Sequence, residues 1–254
     1  MVEAHVELGD VHMAFGDRVV FPRLSCAFPR GKISVILGGS GSGKSTILRL
    51  VGGLVQPVSG RVVVAGRDVT QLSERQLFEV RKKLGMLFQG GALLDSMTVF
   101  DNLAFPLREH TRHPETEIAR IVHERLAAVG LKDVDALLPG QLSGGMLKRA
   151  GLARAIMMEP AILLCDEPFS GLDPVSVHTI EGLLGDINAR SRITMLVVSH
   201  HIASTMRFAD HVLLLLPDGP VQGAPDELRR SRDPRVRAFL DEDAVPATAA
   251  PIGQ

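Results

Sequence analysis

Tryptophan and tyrosine are absent from this 254-residue chain, and ten phenylalanines supply all of its aromatic content. Any stacking on a flat ligand therefore falls to a phenylalanine. Cysteine is nearly absent. Cys26 and Cys165 stand far apart, each in an apolar strand-like run, which reads as two buried thiols in a reducing cytosol and not as a disulfide framework. The nine histidines show neither a C-x-x-C partner nor H-E-x-x-H spacing, so no structural metal site is expected. An excess of charge of one sign is lacking too. With 28 Lys+Arg against 29 Asp+Glu the formal net charge is -1, and no basic field exists to hold nucleic acid or anionic lipid. Long apolar runs are missing. The longest aliphatic one, Val212 to Leu216, falls far short of the ~20 residues that span a bilayer, so a membrane role must come through a partner. Met1 to His5 lacks a basic stretch followed by an apolar one, and no signal peptide is expected. At 45% hydrophobic and 22% charged the chain has enough apolar mass for a full core, in one domain or one with a subdomain.

What is present is a set of strings with phosphate chemistry written into them. Gly38-Gly39-Ser40-Gly41-Ser42-Gly43-Lys44-Ser45, followed by Thr46, fits the pattern G-x-x-x-x-G-K-[ST]. Its glycines let backbone N–H groups turn inward around phosphate oxygens. Lys44 is placed to reach the β- and γ-phosphates of a nucleotide, and the Ser45 hydroxyl to hold Mg²⁺. Ile162-Leu163-Leu164-Cys165-Asp166-Glu167 is an apolar strand ending in two acids. Asp166 suits the Mg²⁺ shell, and Glu167 suits the base-like task of polarising an attacking water. Ser143-Gly144-Gly145 heads a helix through Lys148, Arg149 and Arg154, and a helix N-terminus offers free N–H groups and a positive dipole end to an anion.

The remaining pattern places these strings. Val6 and Leu8, then Leu24, Cys26 and Phe28, alternate as in half-buried strands. Ile33 to Leu37 reads as a strand covered on both faces and runs into the glycine-rich loop. A helix is expected from near Gly43 to before Pro57, a strand over Arg61 to Ala65 turned by Gly66, a capped helix at Ser73-Glu74-Arg75-Gln76, and a strand from Leu84 to Phe88. From about 90 to 158 the period is helical. Pro114 stands at an expected first helical position, Ile118, Ile121, Val122, Leu126 and Val129 form one stripe, and Gly130 suits its end. Strands at Ala161–Cys165, Ile193–Val198 and Val212–Leu216 then alternate with helices at Val175–Arg190 and Ile202–Phe208. A turn follows at Asp218-Gly219, and a last helix starts over Asp226 to Arg230. The Ala/Pro/Thr-rich 244–254 segment is expected to be a disordered tail. No internal repeat is visible. The sum is a mostly parallel α/β core with an antiparallel N-terminal sheet and a helical insertion, its motifs at strand C-terminal ends, where open α/β sheets bind ligands.

Leu142-Ser143-Gly144-Gly145-Met146 together with the glycine-rich loop and Cys165-Asp166-Glu167 resembles the ATPases of ABC transporters over roughly residues 5 to 240. The resemblance implies one ABC-type P-loop ATPase domain over 1–243, with ATP and Mg²⁺ as its nucleotide and metal, working as a homodimer that sandwiches two ATP. It implies that Ser143, Gly144 and Gly145 meet the γ-phosphate held by the other copy, with Met146 a departure where many members have Gln. Gln89 matches the segment that touches Mg²⁺ or water. Ser199-His200 matches the switch histidine on the γ-phosphate, and Ser170-Gly171-Leu172-Asp173 a loop across the dimer interface. Phe15, 23 residues before Gly38, becomes the candidate for stacking on adenine, with a core aromatic as the plain alternative. His201, where relatives often carry Asp, receives no role.

A narrower resemblance rests on Leu142 to Met146, on Phe100-Asp101-Asn102 with Phe105 to Thr111, and on Asp233 to Leu240. These are similar to the ATPase subunits of Mla-type lipid transporters. Those subunits sit on the cytoplasmic face of the inner membrane and power phospholipid movement between two membranes. The implied partners are a membrane permease, through which alone the membrane is met, a STAS-like regulator and an Mce-type lipid-binding protein. The alternative is an ATPase of another transporter, such as a small-solute importer. A DNA- or ribosome-acting relative would need paired cassettes, coiled coils or basic arms. A binding-only relative would lack one of Lys44, Asp166, Glu167 or His200.

Overall fold

The computed structural model describes residues 3–242. The tail expected at 244–254 lies outside the described residues. Two sheets face each other. The first is antiparallel, in the order β2-β1-β4-β5, from β1 (Ala4–Phe15), β2 (Arg18–Pro29), β4 (Ser59–Val64) and β5 (Arg67–Asp68). The second has the order β10-β9-β3-β8-β7-β6. It contains β3 (Ile33–Gly38), β6 (Leu84–Leu87), β7 (Ile162–Asp166), β8 (Thr194–Val198), β9 (His211–Leu216) and β10 (Gly219–Gly223). All its pairings are parallel except β10 on β9.

Period two sorts the strand side chains between two cores. In β3, Ile36 joins the core between the sheets, with Val6, Leu8 and Phe28 of the antiparallel sheet and Ile47 and Leu48 of α1 (Lys44–Val51). Val35 and Leu37 point the other way, into a core closed by the later helices. Both faces of β3 are therefore dry, as its unbroken apolar run predicts. The expected alternation of β1 and β2 is present, with Leu24, Cys26 and Phe28 buried between exposed or half-buried neighbours.

The helical insertion runs between β6 and β7 as α3 (Val99–His110), α4 (Glu115–Ala128) and α5 (Gly144–Ala155). The expected stripe of α4 is its buried face. Ile118, Val122 and Leu126 are all under 4% exposed, each contributing about 1.5–3 kcal/mol by leaving water. Gly130 follows at φ 68, the left-handed turn that ends the helix. The remaining helices are α2 (Glu74–Arg81), opened by the expected Ser73/Gln76 capping box, α6 (Pro174–Ser191), α7 (Ile202–Phe208), α8 (Pro225–Arg229) and α9 (Pro234–Glu242).

Three details differ from the sequence reading. Pro114 is the N-cap of α4, extended at ψ 155, and Glu115 is the first helical residue. The Asp218-Gly219 turn leads into β10, which pairs Gly219 with Leu216 and Val221 with Leu214. α8 is not the last helix, because α9 follows with the Asp233 carboxylate accepting from the Arg235 N–H.

Candidate active site

Four adjacent strands, β3, β8, β7 and β6, deliver the chemistry from their C-terminal ends. β3 ends in the glycine-rich loop, β8 in Ser199-His200, β7 in Asp166-Glu167, and β6 runs out to Gln89. The parallel register sets Ile36 beside Val198 and Asp166 beside Val198, so the three central ends are level. The loop then turns into α1 through Gly43, at φ 94. A Cβ there would stand 2.5 Å from the Phe21 ring, so only glycine fits.

These ends line a cavity of about 460 Å³, the size of a small-molecule site. Its lining joins Ser40, Gly41, Gly43, Lys44, Ser45 and Thr46 of the loop and α1 with Gln89, Glu167 and His200, and with Phe15 and Arg18 from the antiparallel sheet. A pocket adjoining the same loop adds Gly38 and Gly39 beside Lys44, Glu167 and His200. A larger cavity of about 770 Å³ reaches Gly39 to Ser42 from outside, against Leu215 to Pro220 and Phe239, and carries none of the titratable candidates.

Inside the site the contacts are specific. The Lys44 ammonium donates to the carbonyls of Gly38 and Gly39 at 2.8 and 2.9 Å, so the loop curls around its own cation. The Ser45 hydroxyl donates to Asp166 Oδ1 at 2.8 Å. Two hard oxygens side by side at the foot of a cationic loop suit Mg²⁺, which takes one or two protein oxygens and completes its shell from water and phosphate. Among the described residues no group of three or more His, Cys, Asp and Glu could hold a metal. His200 Nδ1 lies 2.6 Å from Glu167 Oε2, a pairing in which the ring N–H donates to the carboxylate. Glu167 itself sits at φ 51, in the left-handed region. Holding a non-glycine residue there costs of order 1–3 kcal/mol, and six other non-glycine residues among the described ones share that conformation.

Other expected residues stand apart from this cluster. The Gln89 amide lines the cavity but donates to the Ser170 hydroxyl at 3.2 Å, not to the Ser45–Asp166 pair. Asp173 caps α6, accepting from the N–H groups of Val175 and Ser176 and from the Ser176 hydroxyl, and does not line the cavity. Ser143 caps α5, accepting from the Met146 N–H at 3.3 Å. Ser143 and Gly144 are exposed and Gly145 half-buried, and none of the three reaches the Lys44 cavity of its own chain. Phe15 is 46% exposed at the cavity rim, so it is not a core aromatic. The sequence reading missed Arg18, whose guanidinium lies beside Gly41. Its signal was position, three residues after Phe15 across the tight turn between β1 and β2.

Residues 21–170 match the family model for ABC transporters, well over half of the chain. The chain belongs to the ABC transporter family. It is an ATP-binding ATPase cassette of that family, and its relatives agree along nearly its whole length. The intermembrane phospholipid transport system ATP-binding protein MlaF of Haemophilus influenzae is 43% identical over 92% of this chain and 89% of its own. The probable ribonucleotide transport ATP-binding protein mkl of Mycobacterium bovis is 44% identical over 98% of this chain and 68% of its own. Among solved structures, the dimeric post-hydrolysis state of the cassette MJ0796 bound to ADP and Pi superimposes with a TM-score of 0.79. That chain is 28% identical, over 87% of this chain and 98% of its own.

Proposed function

We propose that this cassette hydrolyses ATP to power phospholipid transport between two membranes. The observation that carries the reading is the union of one hydrolytic cluster, Lys44, Ser45–Asp166 and Glu167–His200, with near-full-length similarity to MlaF proteins. In this reading residues 1–243 form one cassette with 90–158 as its helical insertion. Phe15 stacks on the adenine, and Gly38 to Thr46 cradle the phosphates. Lys44 exchanges its two carbonyl partners for phosphate oxygens. Ser45 and Asp166, with Gln89, hold Mg²⁺, which supplies charge neutralisation on the phosphates. Glu167 takes up a proton from the attacking water at Oε2 once His200 Nδ1 turns from it to the γ-phosphate.

Ser143 and Gly144 of the signature segment are exposed, and this favours a homodimer in which each α5 N-terminus and each Asp173 loop closes the partner's site. The MJ0796 cassette is dimeric. Among the described residues no helix is long and apolar enough to cross a membrane. In this reading the membrane is met through a permease, from the cytoplasmic face of the inner membrane. The 93–100 segment suits that contact. Val99 is anchored in the core while Leu94 is 41% exposed. An MlaE-like permease, an MlaB-like STAS regulator and an Mce-type lipid-binding protein complete the assembly, and no nucleic acid takes part.

The mkl relatives favour a second reading, ribonucleotide transport, at equal identity. The test is the purified transporter in donor vesicles with labelled phospholipid, acceptor vesicles and ATP. ATP-dependent lipid movement that is lost in Glu167→Gln supports the proposal. ATP-driven uptake of a labelled ribonucleotide with no lipid movement replaces it with the second reading.

A further inference from the structure

Lys148 is buried, 6% exposed, one turn into α5, and it lines neither pocket beside Lys44. A buried ammonium needs partners, because its charge loses water. Its partners here are both main-chain carbonyls. It donates to Gln89 O, in the loop after β6, and to Glu167 O at 3.3 Å, beyond the end of β7. Burial pushes its pKa below the usual lysine range, while the carboxylates of Glu167 and Asp166 oppose that shift and favour the charged form.

The two carbonyls belong to the two segments that carry the chemistry. Glu167 is held in the left-handed region, and its N–H is already spent on Val198 O of β8 at 3.1 Å. Lys148 ties the other side of the same residue. The Ser170 N–H also donates to the Glu167 carbonyl, at 3.2 Å. The peptide groups on both sides of Glu167 are thus held, which fixes its Cα–Cβ direction, and the carboxylate beyond it meets His200 Nδ1 at 2.6 Å. α5 grips the Gln89 loop again further along. Arg154 donates to Ala92 O at 2.8 Å, and Gly151 lets the Gly91 carbonyl approach so closely that a Cβ would stand 2.7 Å from its oxygen.

We infer that Lys148 is a positioning residue for hydrolysis, the point where the helix headed by Ser143 holds the main chain of Gln89 and Glu167 and aims the Glu167 carboxylate. The inference rests on the reading of Glu167 as the group that orients water. It also joins the two ends of α5. The N-terminus faces the partner's nucleotide, and Lys148 sets the hydrolytic group of its own chain. Occupancy of one site is thereby linked to geometry at the other.

Lys148→Met keeps the stem and removes the donor, whereas Lys148→Arg keeps donors. In the purified complex, Lys148→Met lowers kcat for ATP about ten- to hundredfold, the loss expected when a reacting group is misplaced by a fraction of an ångström to one ångström. KM for ATP stays within about twofold, since uniform binding is untouched. Lys148→Arg recovers most of the turnover. A readout independent of turnover is amide hydrogen exchange without nucleotide. Peptides spanning Gln89 and Glu167 exchange faster in Lys148→Met and at the wild-type rate in Lys148→Arg. ATP-driven dimerisation of the Glu167→Gln background persists when Lys148→Met is added, which separates aiming of Glu167 from presentation of Ser143. Where Met unfolds the chain, Lys148→Gln replaces it with the same expectations. A folded variant with wild-type kcat, with unchanged exchange, or with its loss carried in KM overturns the inference. Near-normal turnover in Glu167→Gln alone overturns instead the reading of Glu167 on which it rests.

Discussion

Burial sets the protonation of His5 and His211 at the level of single side chains. Desolvation lowers the pKa of both below 6.5, with Arg30 adding to the effect at His5, while Glu3 and Glu227 oppose it at His5 and His211 respectively. His5 Nδ1 lies 2.6 Å from the Thr194 hydroxyl, which also accepts from the Gly31 N–H, so a neutral ring belongs to the joint between the two sheets. The unfolded chain binds protons at these positions before the folded chain does. Stability is therefore insensitive to them well above pH 6.5 and falls as pH drops through 6.5 toward the lowered folded values. The carboxylates held down by arginine, Asp10 by Arg23 and Asp101 by Arg108, act only lower, as pH falls through their ordinary value of 3.8. Urea unfolding between pH 8 and about 5.5 should show the histidine window, with a shallower decline in His5→Gln than in the wild type. An identical decline in both would remove His5 from the account. At this scale the site was legible where chemistry is local. Lys44, Ser45, Asp166 and Glu167 announce themselves because phosphate binding needs particular residues in short strings. Lys148 was not, since its two partners lie 59 and 19 residues away and nothing in its neighbours' sequence points to a carbonyl.

Elements were legible in proportion to their periodicity. β3 and the α4 stripe follow directly from apolar spacing, because burial on two faces or one face writes itself into the pattern. β10 escaped, since its Gly-Pro-Val-Gln-Gly offers a single apolar side chain and holds to β9 through main-chain pairing. α9 escaped although Asp233-Pro234 is a capping residue followed by a proline suited to the first helical position. Asn102 was noticed only as part of a string, yet it organises the loop before α3. Fully buried, it accepts from the Leu94 N–H at 2.7 Å, and the two hydrogens of its NH2 are shared among the carbonyls of Leu94, Met97 and Thr98 at 3.0 to 3.1 Å. The surface offered by Leu94 is thus built on one amide. Asn102→Ala leaves several loop groups without partners and should cost about 2 kcal/mol or more in urea unfolding. It should also weaken co-purification with the permease while leaving ATP binding by the P-loop intact. Wild-type stability together with wild-type complex yield would show that the loop holds its shape by other means.

At the scale of the whole molecule, the proposed active site is split between two faces. The cavity holding Lys44, Glu167 and His200 lacks every residue of the signature segment, and that segment heads α5 with Ser143 and Gly144 exposed. A helix N-terminus with exposed Ser143 and Gly144 gains little in water, where its N–H groups are already solvated. It gains much against a phosphate desolvated by a second cassette. A symmetric dimer that places each α5 over the partner's glycine-rich loop satisfies both copies with one interface. The consequence is testable by segregating lesions. Lys44→Ala removes the phosphate clamp of its own chain, and Ser143→Arg blocks the segment that closes the other. In a mixed dimer one composite site carries both lesions and the other carries neither. Mixing two inactive variants should therefore restore ATP hydrolysis that neither homodimer shows, with the amount tracking the fraction of mixed dimers measured by differential tags. If tagged mixed dimers form and remain inactive, the shared-site arrangement fails, and α5 would have to swing for Ser143 to reach the Lys44 cavity of its own chain, which it does not line. The clamp at Lys148, which ties that helix to Gln89 and Glu167 of its own chain, stands against such a swing. Recovery in the mixture is thus the outcome demanded both by the exposed signature turn and by the anchored body of the same helix.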